Sequence, residues 1–137
     1  MKRLRIAGVG EALWDVFQDS EQFGGAPANF VSHCSMLGEQ GYLVSALGSD
    51  QRGQLAVEHM TELGVNLEYC AIIDGIETGV STVVLDSKRD AEYEIRENVA
   101  WDMVSYDSTL IPFFLYLESF CFVTLFLCSM KAYVFCM

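Results

Sequence analysis

Phe23-Gly24-Gly25-Ala26-Pro27-Ala28-Asn29, followed by glycines at Gly38 and Gly48, is the stretch that constrains this chain most. Paired glycines let a backbone pass close to a ligand with no Cβ in the way. A proline at the first helical position then starts a helix whose free amides face that ligand. The same pattern also serves as a plain turn before a helix. Around it the chain alternates between strand and helix patterns. Residues 4–10 form a short apolar run suited to a strand buried in a parallel sheet, and the loop after it delivers Glu11 and Asp15. From Pro27, the residues Phe30, Val31, Cys34 and Leu37 fall on one helical face that stops at Gly38. Tyr42–Leu47 reads as a second core strand closed by Gly48. Asp50 is the expected N-cap of a helix that turns Leu55, Ala56, Met60 and Leu63 inward and halts at Gly64. Such a βαβα unit predicts a parallel sheet flanked by helices, with ligands bound beyond the carboxyl ends of the strands.

The pattern then changes to period two. Gly79–Leu85 is β-branched and apolar, 86–90 is a polar turn, and Glu92–Arg96 alternates charged and apolar side chains, which predicts a hairpin at the rim of the sheet. Asp15 can accept hydrogen bonds from two sugar hydroxyls or be a solvated loop carboxylate. Asn29 offers a hydroxyl-rich ligand a donor and an acceptor, or serves backbone amides at the helix start. Gly25 and Ala26 give either close backbone approach or a tight turn. Trp101 is expected to anchor the end of the hairpin, and Glu11 can be a partner of a backbone amide.

Gly-Gly-x-Pro-x-Asn with Gly38 and Gly48 resembles the N-terminal signature of the PfkB or ribokinase-like sugar kinases, although Val31 stands where that signature usually has a small residue. Gly10-Glu11-Ala12-Leu13-x-Asp15, Thr78-Gly79-Val80 and Glu97-Asn98-Val99-Ala100-Trp101-Asp102 look like the fructokinase branch. The resemblance covers residues 4 to about 104. It implies an α/β ribokinase-like fold, a parallel sheet flanked by helices with a small β lid (about 79–97). It also implies a sugar bound through Asp15, Gly25, Ala26 and Asn29, and a lid that pairs with a second subunit in several members. ATP and Mg serve the intact family enzyme. The family's Gly-Ala-Gly-Asp run, with its general base and anion hole, and its Asn-x-x-Glu motif do not occur in these residues. The chain therefore reads as the sugar-binding part of an ATP-dependent kinase, truncated before the C-terminal half and inactive alone. The other reading is a non-catalytic sugar-binding or kinase-pairing module.

Several functions are disfavoured. A net charge of −11 and a pI near 4.3 argue against nucleic acid, which is bound by Lys and Arg on phosphates. Gly8-Val9-Gly10 lacks the third glycine of a dinucleotide fingerprint, and there is no P-loop. His33, Cys34 and His59 are not spaced to share a metal. Five cysteines with no metal-type pairing, and an N-terminal apolar run too short for a secretion signal, fit the cytoplasm. Composition changes near Val104, which sets a boundary between 1–104 and an apolar tail, 105–137, unlike the family. All eleven glycines precede residue 80, whereas six of nine phenylalanines follow Ile111. Ile111–Met130 is long enough to cross a bilayer but contains Glu118, so insertion would be marginal. A buried helix is a second reading of the tail. A third, favoured here, is translated intron or shifted frame, because its residues are those of uracil-rich codons.

Overall fold

Strand β1 (Arg5–Val9) lies inside an all-parallel sheet in the computed structural model, which describes residues 2–85, 91–106 and 108–122. Its run of apolar residues has no polar alternation because both of its faces are covered. β4 (Gln40–Gly48) pairs with one edge of β1, from Arg5 opposite Gln40 to Val9 opposite Val44, and β5 (Cys70–Ile73) adds beyond β4. On the other edge lies β8 (Ser119–Phe122), with Ile6 opposite Ser119. The order is β5-β4-β1-β8, so strands that follow β1 in the chain add on both sides of it. In such sheets the crevice beyond the strand ends at that point is the usual ligand position.

Helices α1 (Ala26–Met36) and α2 (Gln51–Glu62) cover one face. Ala28 and Val31 of α1 and Ala56 and Met60 of α2 pack with Leu43 and Leu47 of β4 in one buried cluster. The other face carries Ala7, Val9 and Val44 and is covered by Leu110 and by Phe113 and Phe114 of the short helix α3 (Ile111–Leu115). The expected inward faces of the helices need correction at two residues. The buried stripe of α1 is Pro27, Ala28, Val31 and Ser32, and Leu37, just past the last turn, is 83% exposed. In α2, Gly53, Ala56 and Met60 face the sheet, and Leu55 is 40% exposed. Small residues let both helices sit close to the sheet, which rotates the stripe away from the larger leucines.

A second sheet is joined to the carboxyl ends of the first. β2 (Leu13–Val16) pairs antiparallel with β3 (Glu21–Gly24) and parallel with β6 (Gly79–Leu85), and β6 pairs antiparallel with β7 (Ala91–Ile95). The expected hairpin is β6–β7; its turn, 86–90, lies outside the described residues. Strands β2, β3, β5 and β8 were not foreseen, each being only four residues long.

Residues 108–122 pack against the parallel sheet, and 123–130 of the expected bilayer span lie outside the described residues. Among the described residues no helix is long and apolar enough to cross a membrane. Glu118, the charge inside that span, holds β8 to β1. Its carboxylate accepts from the Arg5 backbone N–H at 2.7 Å and pairs with the Arg5 guanidinium and the Lys2 ammonium, while its own N–H donates to the Arg5 carbonyl at 2.9 Å. The Arg5 amide and the two cations bring its pKa from 4.5 down to about 2. A carboxyl with a lower folded than unfolded pKa stabilises above the unfolded value and loses that contribution as pH falls. Hydrogen-exchange protection of the β8 amides is therefore expected to hold above pH 4.5 and to fade toward pH 2. Glu118→Gln should flatten that profile, and an unchanged profile would mean that the carboxylate does not hold the strand.

Candidate functional site

The chain leaves the carboxyl end of β1 at Gly10, passes through buried Glu11 and Ala12, and enters β2. β3 then returns antiparallel, setting Leu13 opposite Gly24 and Asp15 opposite Gln22, and Gly25 caps α1. Three of the four expected binding residues thus come from one helix start and the fourth from the strand beside it. Asp15 lies in β2 rather than in a loop, because residues 13–16 find partners on both sides. Pro27 is the second residue of α1, not the first; Ala26 opens the helix.

Gly24 measures the convergence. A β-carbon on it would stand 3.2 Å from Asp15 Oδ2, 3.5 Å from Asn29 Nδ2 and 3.8 Å from Asn29 Oδ1. The carboxylate of β2 and the amide of α1 therefore flank one bare stretch of backbone. Asn29 and Ala26 are exposed, whereas Gly25 and Asp15 are half-buried. The Asn29 backbone N–H donates to the Gly25 carbonyl at 2.9 Å, so the Asn29 side chain is not needed to satisfy that amide. Gly25 has φ +98° and no side chain with which to cap the helix. Glu11 lies directly against that position: a β-carbon on Gly25 would stand 3.3 Å from its Cγ.

Burial pushes the Asp15 carboxyl above its usual pKa, and the nearby Ser81 hydroxyl offsets part of the rise. Burial also raises Glu11, with the Glu11 and Ala26 amides opposing it; among the described residues its Oε2 has no hydrogen-bond partner. Trp101, in a short 3-10 turn (Ala100–Met103), packs against the first residue of β6: a β-carbon on Gly79 would stand 2.7 Å from its Cδ1. Asp15 only accepts when ionised, and Asn29 both donates and accepts. That set, one acceptor beside a group that both donates and accepts, suits hydroxyl groups. Among the described residues no group of three or more His, Cys, Asp or Glu side chains could hold a metal ion.

Two polar features escaped the sequence. Ser81 lies directly opposite Asp15 in the parallel pairing. The period-two pattern of 79–85 gave its face, but nothing local gave its partner strand. Asp50 was foreseen as a helix cap, yet its carboxylate also accepts from the Thr78 N–H and hydroxyl, 28 residues away, tying α2 to the start of β6.

A parallel sheet covered by helices, with a small β sheet joined at its carboxyl ends, is the architecture of the ribokinase-like class of α/β proteins. The model of the pfkB family carbohydrate kinases matches residues 4–124, and the chain belongs to that family. The match extends past Val104 and takes in β8. Fructokinase-2 of Oryza sativa subsp. japonica is 32% identical over 105 residues, which are 77% of this chain and 31% of the rice protein. Ribokinase of Dictyostelium discoideum is 26% identical over 101 residues, 62% of this chain and 32% of that one. The chain thus spans about a third of the length of these curated relatives. Fructokinase of Halothermothrix orenii superposes with a TM-score of 0.81 over 96% of this chain and 52% of its own at 20% identity, a likeness of fold. A sugar kinase of Pyrococcus horikoshii solved in complex with ATP superposes with a TM-score of 0.66 at 26% identity, over 71% of this chain and 35% of that one.

Proposed function

We propose that this chain forms the sugar-binding side of a fructokinase-like, ATP-dependent carbohydrate kinase, with Asp15, Gly25, Ala26 and Asn29 as its sugar contacts. The observation that carries the reading is the approach of the Asp15 carboxylate and the Asn29 amide to the same point above Gly24, where a β-carbon would stand. ATP, with Mg, belongs to the intact enzyme. The ATP complex of the Pyrococcus horikoshii relative supports the nucleotide, whereas the acceptor base and the metal-binding motif have no counterpart in this sequence. The chain alone is accordingly a binder without turnover.

The test is calorimetric titration of the 137-residue chain with D-fructose and D-ribose, alongside a coupled assay for ADP release. Asp15→Ala removes a hydrogen bond to a charged acceptor, worth roughly 1.5–3 kcal/mol, so the affinity should fall by about 10- to 100-fold. Asn29→Ala should cost less. Failure of the wild type to bind either sugar, or binding untouched by both substitutions, would overturn the assignment. A second reading, a module that pairs with a complete kinase subunit through β6–β7, has its own support: Val84 and Tyr93 are 56% and 61% exposed on that hairpin. Sedimentation of the chain with and without such a subunit separates the two.

A further inference from the structure

One buried hydroxyl on β6 has no hydrogen-bond partner among the described residues. Parallel pairing puts Ser81 beside Asp15, and antiparallel pairing puts Ile95 on its other side, so Asp15 is its one polar neighbour across the sheet on that face. Ser81 is 2% exposed, and among the described residues its hydroxyl oxygen has no hydrogen-bond partner. It lies close enough to influence the Asp15 carboxyl yet falls short of hydrogen-bond geometry with it. An unpaired buried hydroxyl is a cost that alanine at the same position would avoid. Val83, two residues along the same face, is buried as well, so apolar side chains are accommodated there.

The chemistry of the pair supplies the missing partner. An ionised carboxylate accepts and cannot donate, whereas a sugar hydroxyl does both. With Asp15 taking the proton of such a hydroxyl, its oxygen still needs a donor. We propose that Ser81 is a specificity-determining residue of the sugar site, its hydroxyl donating to the oxygen of the same ligand hydroxyl that donates to Asp15. The pair then selects a hydroxyl over a carbonyl oxygen, which Asp15 rejects, and over a hydrogen, which leaves both side chains unpaired. This rests on the reading of Asp15 as a sugar contact.

Calorimetric titration of the full chain with D-fructose tests it, with a thermal melt of each variant. Ser81→Ala should weaken binding roughly tenfold, the size of one lost hydrogen bond, without lowering the melting temperature. Ser81→Thr keeps the hydroxyl and should stay within about threefold of the wild type. If Ser81→Ala binds as tightly as wild type while Asp15→Ala does not, the role of Ser81 is wrong and the site stands. A drop in melting temperature that accounts for the weaker binding would make Ser81 structural and overturn the proposal. No binding of D-fructose or D-ribose by the wild type would overturn both.

Discussion

Gly25→Ala should be among the most destabilising single-methyl changes in this chain, lowering the melting temperature by on the order of 10 °C. Two costs fall on one atom. At φ +98° and ψ 136° the backbone occupies a region that a residue with a β-carbon adopts only under strain, at about 1–3 kcal/mol. The added carbon would also stand 2.5 Å from the Glu11 carbonyl oxygen and 3.3 Å from Glu11 Cγ, which forces the β1–β2 connection to move, at about 1–3 kcal/mol more. Gly38→Ala separates the two. Gly38 has φ +95°, yet a β-carbon there would have no atom within 4 Å, so only the conformational cost of about 1–2 kcal/mol remains. Circular dichroism melts of both variants check the difference. Equal losses would mean that the approach of Gly25 to Glu11 is not felt. The functional consequence follows from the same crowding, because displacing Glu11 shifts the helix start that carries Asn29.

What could be read from the sequence was local. The βαβα unit, the Asp50 cap and the β6–β7 pairing all rest on patterns complete within a dozen or so residues, and all appear where their side chains placed them. Asp15, Gly25, Ala26 and Asn29 were singled out by chemistry and resemblance, and their convergence needed only one short antiparallel return, β2 to β3. The rest depended on distant partners. Residues 119–122 are too few to carry a pattern of their own, and their strand character comes from lying along β1 more than a hundred residues earlier. Composition marked a change at Val104 but could not show that Leu110 and Phe113 fill the second face of the sheet. Glu118 seemed an obstacle inside an apolar span, since its partners, Lys2 and Arg5, stand at the opposite end of the sequence. Ser81 needed register, which no run of residues specifies without the neighbouring strand.

Asp50→Ala is the second large effect, because one carboxylate joins three parts of the fold. Oδ1 accepts from the Gly53 N–H at 2.8 Å, capping α2, and from the Thr78 hydroxyl at 2.6 Å; Oδ2 accepts from the Thr78 N–H at 2.9 Å. Thr78, which is 1% exposed, in turn accepts from the Gly48 N–H at 3.0 Å, so the end of β4, the start of α2 and the approach to β6 share one network. Losing the cap costs about 1 kcal/mol, and stranding the buried Thr78 donors adds about 1–3 kcal/mol, for a total of roughly 2–4 kcal/mol. Burial raises the Asp50 pKa, but the Thr78 and Gly53 hydrogen bonds, with Arg52 nearby, outweigh it and leave the carboxyl below 3.8. Its contribution is therefore full above that value and is lost as pH falls through the folded pKa, so wild type and Asp50→Ala should converge in stability in acid. Thr78→Val removes the hydroxyl alone, and the double variant should lose less than the sum of the two single losses, since both delete the same bond. Denaturant titrations at neutral and acid pH measure all of this. A cost for Asp50→Ala under about 0.5 kcal/mol, or strict additivity with Thr78→Val, would reduce Asp50 to an ordinary exposed helix cap. A loss of the expected size would instead mean that this network, set beside α2, ties the approach to β6 to the start of that helix and to the end of β4.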